Sequence, residues 1–140
     1  MIDCTFSGRL KKVVFYGRLG GIYTMESGQR LNEFRGNDFS GADLAQVEFR
    51  WGIDLSRQVL PTGSDYVYLP DSAATLARLR LVVDGWPEAD RRRRAVMMIE
   101  IFEREVTLGQ TQALLRVSEW VRNEVDAEVV DLLRSDAANG

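Results

Sequence analysis

Phe34, Phe39, Leu44 and Phe49 recur at every fifth residue. Each follows an acidic residue, Glu33, Asp38, Asp43 or Glu48, and two positions before each stands Asn32, Asn37, Ala42 or Val47. Ile53-Asp54-Leu55 repeats the unit after one extra residue. A helix returns to the same face every ~3.6 residues and a strand every two or so, and a period of five suits neither. It suits a chain that turns a corner every five residues. The competing reading is a pair of ordinary amphipathic strands in which the period is accidental.

This run resembles the pentapeptide-repeat family, whose motif reads Ala-Asp/Asn-Leu-x-x. Ala42-Asp43-Leu44 is the cleanest match, and the resemblance covers residues 32–55. It implies that each repeat forms one side of a short right-handed quadrilateral β-helix. The central residue and the small residue two before it then point inward. Phe34, Phe39, Leu44 and Phe49 fill one buried layer, and Leu55 begins the next above Phe34. Gly36 and Gly41 take corner positions, where a tight turn demands φ > 0. Asn32 and Asn37 depart from the small apolar preference and are read as bonding to corner backbone.

The N-terminal segment carries a degraded form of the pattern, Cys4-Thr5-Phe6 and Val13-Val14-Phe15, with Leu10 between them. Cys4 is read as an inward-facing small residue and not as a reactive thiol. From 16 to 31 the pattern fails. Gly17, Gly20, Gly21 and Gly28 surround Ile22, Tyr23 and Met25, as in a loop inserted into the coil. Two roles stay open for it: a recognition loop held by a rigid scaffold, or a cap over the open end of the coil.

Residues 1–60 thus form the repeat region, and 61–70 a connecting turn and strand. Thr62-Gly63-Ser64-Asp65 is the turn, and Tyr66-Val67-Tyr68-Leu69 alternates as a short strand. Residues 71–136 change to helical spacing. A helix starts at Asp71 or Ser72, buries Leu76, Leu79 and Val83, and ends at Asp84-Gly85. Pro87 opens a second helix whose stripe is Val96, Ile99, Phe102 and Val106, stopping before Gly109. A third helical stretch carries Leu114, Val117, Val121, Val125, Val129 and Leu132, and a break near Asn123 is left open. The last residues, 136–140, read as frayed. Few coil layers do not bury enough apolar surface alone. The expectation is therefore an α+β chain: a short coil capped by a bundle of about three helices on Leu55, Val59 and Leu60, folding as one cooperative unit.

Composition narrows the function. The chain has 140 residues and a formal charge of −3, which gives no global field for nucleic acid. There is no histidine, and Cys4 is the only cysteine. The commonest general base and a zinc site within one chain are both missing, and no cofactor is implied. The lone thiol points to a reducing cytoplasm. No apolar run reaches membrane-span length, and the start MIDCTFSGRLKK lacks a long apolar signal core. The repeat carboxylates point from different sides of a square coil, so they read as a solvated outer face and not as a converging acid/base site.

Arg91, Arg92, Arg93 and Arg94 are the sharpest charge cluster. Four consecutive residues sweep around a helix, so they read either as a contact for an acidic or phosphorylated partner or as a solvated edge paired with Glu88 and Asp90. The acids Glu119, Glu124, Asp126, Glu128 and Asp131 mark the last helical segment. They are complementary to the arginines within a chain or between chains, as in a homodimer through the helical region.

These features favour a non-catalytic scaffold that binds another protein, for example an immunity or self-protection protein of a bacterial cytoplasm. The binding candidates are Ile22, Tyr23, Met25 and Arg91, Arg92, Arg93 and Arg94. The resemblance also implies an alternative, a DNA mimic acting on DNA gyrase. Residues 1–60, with eight Lys or Arg against seven Asp or Glu, do not carry the acidic column such a mimic needs. An enzyme of unrecognised type is the third reading.

Overall fold

The computed structural model of the chain describes residues 1–18 and 33–139. The ring centroids of Phe34, Phe39 and Phe49 lie 5.6–6.3 Å from one another. Along a straight strand, at ~3.3 Å per residue, Phe34 and Phe49 would stand about 50 Å apart. The chain therefore bends between these residues and brings the three rings together. Phe39 and Leu44 are buried, whereas Phe34 and Phe49 are only half-buried, short of the full burial expected. Ala42, the small residue before Leu44, is buried as the motif requires.

A second layer of rings lies against the first. Phe6 stacks on Phe39 at 4.7 Å with planes 2° apart, and Phe15 on Phe49 at 5.5 Å and 15°. The backbone sets this register. Strand β1 (Thr5–Lys11) pairs in parallel with β3 (Asp38–Ala45), which aligns Leu10 with Leu44. Strand β2 (Val14–Tyr16) pairs in parallel with β4 (Glu48–Arg50). Single parallel bridges join Ile2 to Arg35 and Asp38 to Val59. These ladders do not close into a coil among the described residues; each is a two-stranded sheet.

Asn37 explains the departure from a small apolar residue. It is fully buried, and its Oδ1 accepts from the Cys4 amide while its Nδ2 donates to the Met1 carbonyl and Gln58 Oε1. Gln58 Nε2 in turn donates to the carbonyls of Phe34 and Asp54. A buried backbone amide without such a partner costs about 1–3 kcal/mol. Asn32 lies outside the described residues. Gly36 has φ +67, as expected of a corner, and the residue beside it in the neighbouring strand, Asp3, is also left-handed at φ 54. Lys12 and Gln46 form a second such pair, at φ 56 and 53. Gly41 is not in this region. It sits inside the β1–β3 ladder opposite Ser7, so its expected corner role is corrected.

The described residues fall into two compact units. The first comprises 1–62 and 108–110, the second 63–107 and 111–140. In the first, a 3-10 turn at Leu55–Arg57 is capped by Asp54, whose carboxylate accepts from the Ser56 amide. Leu55 is buried, but Val59, expected on a covered face, is 52% exposed. Its backbone continues the ladder beside Phe39 and Asn37, which leaves its side chain outside.

The second unit mixes three longer helices with one two-stranded antiparallel sheet. Helix α1 (Ser72–Asp84) begins where Asp71 accepts from the Ala74 amide, as its sequence predicts. Helix α2 (Ala89–Thr107) buries Ala95, Met98, Ile99 and Phe102; Val96 and Val106 are half-buried, so the stripe is rotated from the one expected. Leu114 is not helical. It belongs to β6 (Ala113–Arg116), antiparallel to β5 (Tyr66–Leu69), with Leu115 opposite Val67. A short Leu-Leu run is ambiguous between helix and strand, and the need to pair β5 decides it. A single helical turn, α3 (Val117–Trp120), follows. The break is real: Asn123 Oδ1 accepts from the Asp126 amide and opens α4 (Glu124–Asn139). The tail is helical through 139 and not frayed from 136, because Asp136 is held by Arg78 and Thr75. Val67, Leu69, Leu79, Val83, Ile99, Phe102, Leu115, Val129 and Leu133 belong to one core. The chain is thus α+β. No helix among the described residues is long and apolar enough to cross a membrane.

Candidate protein-binding surfaces

The corner after β4 is tightly constrained. Trp51 has φ 64, the left-handed region, and is followed by Gly52 at φ 94. A bulky residue there is strained by roughly 1–3 kcal/mol, and such strain persists only where the surroundings enforce it. The enforcement is visible. The Gly17 amide donates to the Arg50 carbonyl, and a Cβ on Gly17 would sit 2.6 Å from the Gly52 carbonyl carbon. Gln110 Oε1 accepts from the Gly52 and Ile53 amides at 3.1 and 2.9 Å, and its Nε2 donates back to the Ile53 carbonyl. Arg18 Nη2 donates to the Leu108 carbonyl.

This clamp presents an aromatic pair. The Tyr16 and Trp51 rings lie 4.7 Å apart, with Tyr16 exposed and Trp51 half-buried. Beside them Arg50 pairs with Glu48 at 2.8 Å, and its Nε is buried without a hydrogen-bond partner. The binding candidates Ile22, Tyr23 and Met25 lie outside the described residues. A sequence signal for this corner exists: an aromatic residue directly before glycine, Tyr16-Gly17 and Trp51-Gly52, one residue after Phe15 and two after Phe49. The glycine-rich stretch that follows Tyr16 masks it.

The outer carboxylates do not gather. Asp43 faces Arg9 at 3.6 Å across the ladder. The Ser40 hydroxyl and amide hold the Asp38 carboxyl below its usual range and close a local turn. Asp54 and Ser56 repeat that Asp-x-Ser turn. Among the described residues no group of three or more acidic, Cys or His side chains is placed to hold a metal ion.

No family model, curated protein or solved structure matches the chain. The candidate surfaces therefore rest on its own geometry.

The arginine cluster on α2 is engaged within the second unit. Arg91 pairs with Glu128 and stands over the Trp86 ring at 5.6 Å. Arg92 Nη1 donates to the Trp86 carbonyl, and Arg94 pairs with buried Asp126 at 3.3 Å. Arg93, 71% exposed along its side chain, meets Asp90 at 3.5 Å. The complementarity expected between these arginines and the C-terminal acids is thus met inside the chain. Exposed apolar side chains occur elsewhere in the unit: Leu81 and Val82 on α1, and Met97 and Ile101 on α2, at 77, 48, 60 and 46% exposure. Met97 and Ile101 are four apart and stand opposite the buried stripe. Their spacing is legible in the sequence, but an apolar pair on a helix that already has a buried stripe reads there as surplus.

Proposed function

We propose that the chain is a non-catalytic scaffold that binds another protein through the Tyr16–Trp51 corner. In this reading the first unit is a short pentapeptide-repeat coil, and its stiffness serves presentation. The parallel ladders and the stacked ring layers support the coil. The observation that carries the binding role is Trp51, a bulky residue held at φ 64 with its ring on exposed Tyr16. Rigid aromatic rings lose little entropy on binding and dominate interface energies. Their setting, a buried glutamine clamp and a glycine contact, fixes them before a partner arrives. A cytoplasmic setting suits the single thiol.

The test is capture by the full-length chain from native cytoplasm, comparing variants. Tyr16→Ala and Trp51→Asn, the latter tolerant of left-handed backbone, should each lower capture of a specific partner about tenfold or more. Their melting temperatures should stay close to that of the parent. Capture unchanged by both substitutions overturns the reading. Gyrase protection lost on Asp43→Lys, with both corner variants active, favours the DNA-mimic alternative instead.

A further inference from the structure

The outer side of α2 carries a second seam, separate from the aromatic corner. Asp90, Arg94, Met97, Ile101 and Arg104 follow one another at alternating steps of four and three residues, the spacing of a coiled-coil stripe. All five are exposed. Met97 and Ile101 form its apolar middle, on the side opposite Ala95, Ile99 and Phe102. A stripe of this spacing has the geometry that pairs helices in coiled coils.

Its charge order says which helix. Laid antiparallel on a copy of itself about Met97, the seam sets Asp90 against Arg104, while Arg94, already paired with Asp126 in its own chain, faces Glu100 at the seam's edge. Ile101 then lies under the aliphatic stem of Arg93. Every charged pair has opposite sign, and two-fold symmetry makes each of them twice. A parallel copy would set Asp90 on Asp90 and Arg104 on Arg104. A slip of four residues, which places Met97 on Ile101, would bring Arg94 against Arg104. Among the described residues Arg104 makes no side-chain ion pair, and Asp90 makes a 3.5 Å contact with Arg93, so both carry charge to the surface. We infer that α2 is a self-association surface, and that two copies of the chain pair through antiparallel α2 helices centred on Met97.

Sedimentation equilibrium of the full chain tests this. The parent should dimerise. Asp90→Arg alone and Arg104→Asp alone each set like charges at both symmetric positions and should raise the dissociation constant about tenfold. An equimolar mixture of the two variants should recover parental association, because in the mixed dimer both symmetric contacts again join an arginine to an aspartate. Met97→Glu, which puts two carboxylates on the axis, should give monomer. Melting curves of each variant separate loss of association from loss of fold. A parent that stays monomeric at the highest concentrations reached, a mixture no tighter than either variant alone, or a Met97→Glu dimer as tight as the parent overturns the inference.

Discussion

At the scale of single residues, the first unit depends on positions where no other side chain satisfies both space and hydrogen bonds. Gly17 is one. Added bulk at its Cβ would meet backbone atoms of Trp51, Gly52 and Ile53 at 2.6–2.7 Å, and backbone cannot swing aside. Gly17→Ala should therefore cost about 1–3 kcal/mol, read as a lower denaturant midpoint with an unchanged slope. Asn37 is another: Asn37→Leu keeps the branched shape but takes the side-chain partner from the Cys4 amide and the Met1 carbonyl, and leaves Gln58 Oε1 only the residue-37 amide. A loss of about 2–4 kcal/mol is expected in urea titration, and a change under about 0.5 kcal/mol would show that water replaces these bonds. The sequence displayed Asn37 as an exception to its motif, and the structure shows why an exception is needed. It did not display Trp51, because a positive φ on tryptophan is imposed by Gly17 and Gln110, one distant in the chain from the other.

At the scale of elements, legibility followed periodicity. Helix α1 and strand β5 were readable because caps and alternation agreed with local propensity. The five-residue run was readable because no regular element shares its period. What could not be read were β6 and the break before α4. Leu114-Leu115 fits a helix until β5, about forty-five residues earlier, requires a partner. Two carboxylates lock these elements and give the second unit a pH dependence. The Arg78 guanidinium holds the Asp136 carboxyl below its usual range; burial opposes this, and the Thr75 hydroxyl adds to it. Burial pushes Asp65 up, but the Ser118 hydroxyl and amide and Arg116 together bring it below the usual range. A depressed carboxyl contributes stability that is fully present above the unfolded value of about 3.9 and is lost as pH falls through the lower folded value. The melting temperature should thus decline below about pH 4, and Asp136→Asn should lower it at neutral pH while flattening the acid slope. An acid slope identical in Asp136→Asn and Asp65→Asn variants and in the parent would remove these groups from the account.

At the scale of the whole molecule, the first unit is not continuous in sequence. Leu108–Gln110 belong to it although they follow α2, and Gln110 is 4% exposed and holds both ends of Ile53. A fragment of residues 1–62 lacks that clamp. It should melt broadly or aggregate, whereas a sharp, reversible transition of the fragment would show that Gln110 is dispensable for folding. The expectation that the repeat region ends at 60 missed this return, since three residues carry no periodic signal. The same clamp fixes the corner on which the proposed activity rests. The most direct test is site-specific crosslinking in native cell extract, with a photoreactive side chain placed in turn at Tyr16, Trp51 and Asp43 of the full-length chain. The account predicts one discrete heterologous protein adduct at positions 16 and 51 and none at 43. Adducts at 43 alone, or no discrete adduct at either aromatic position, would contradict it.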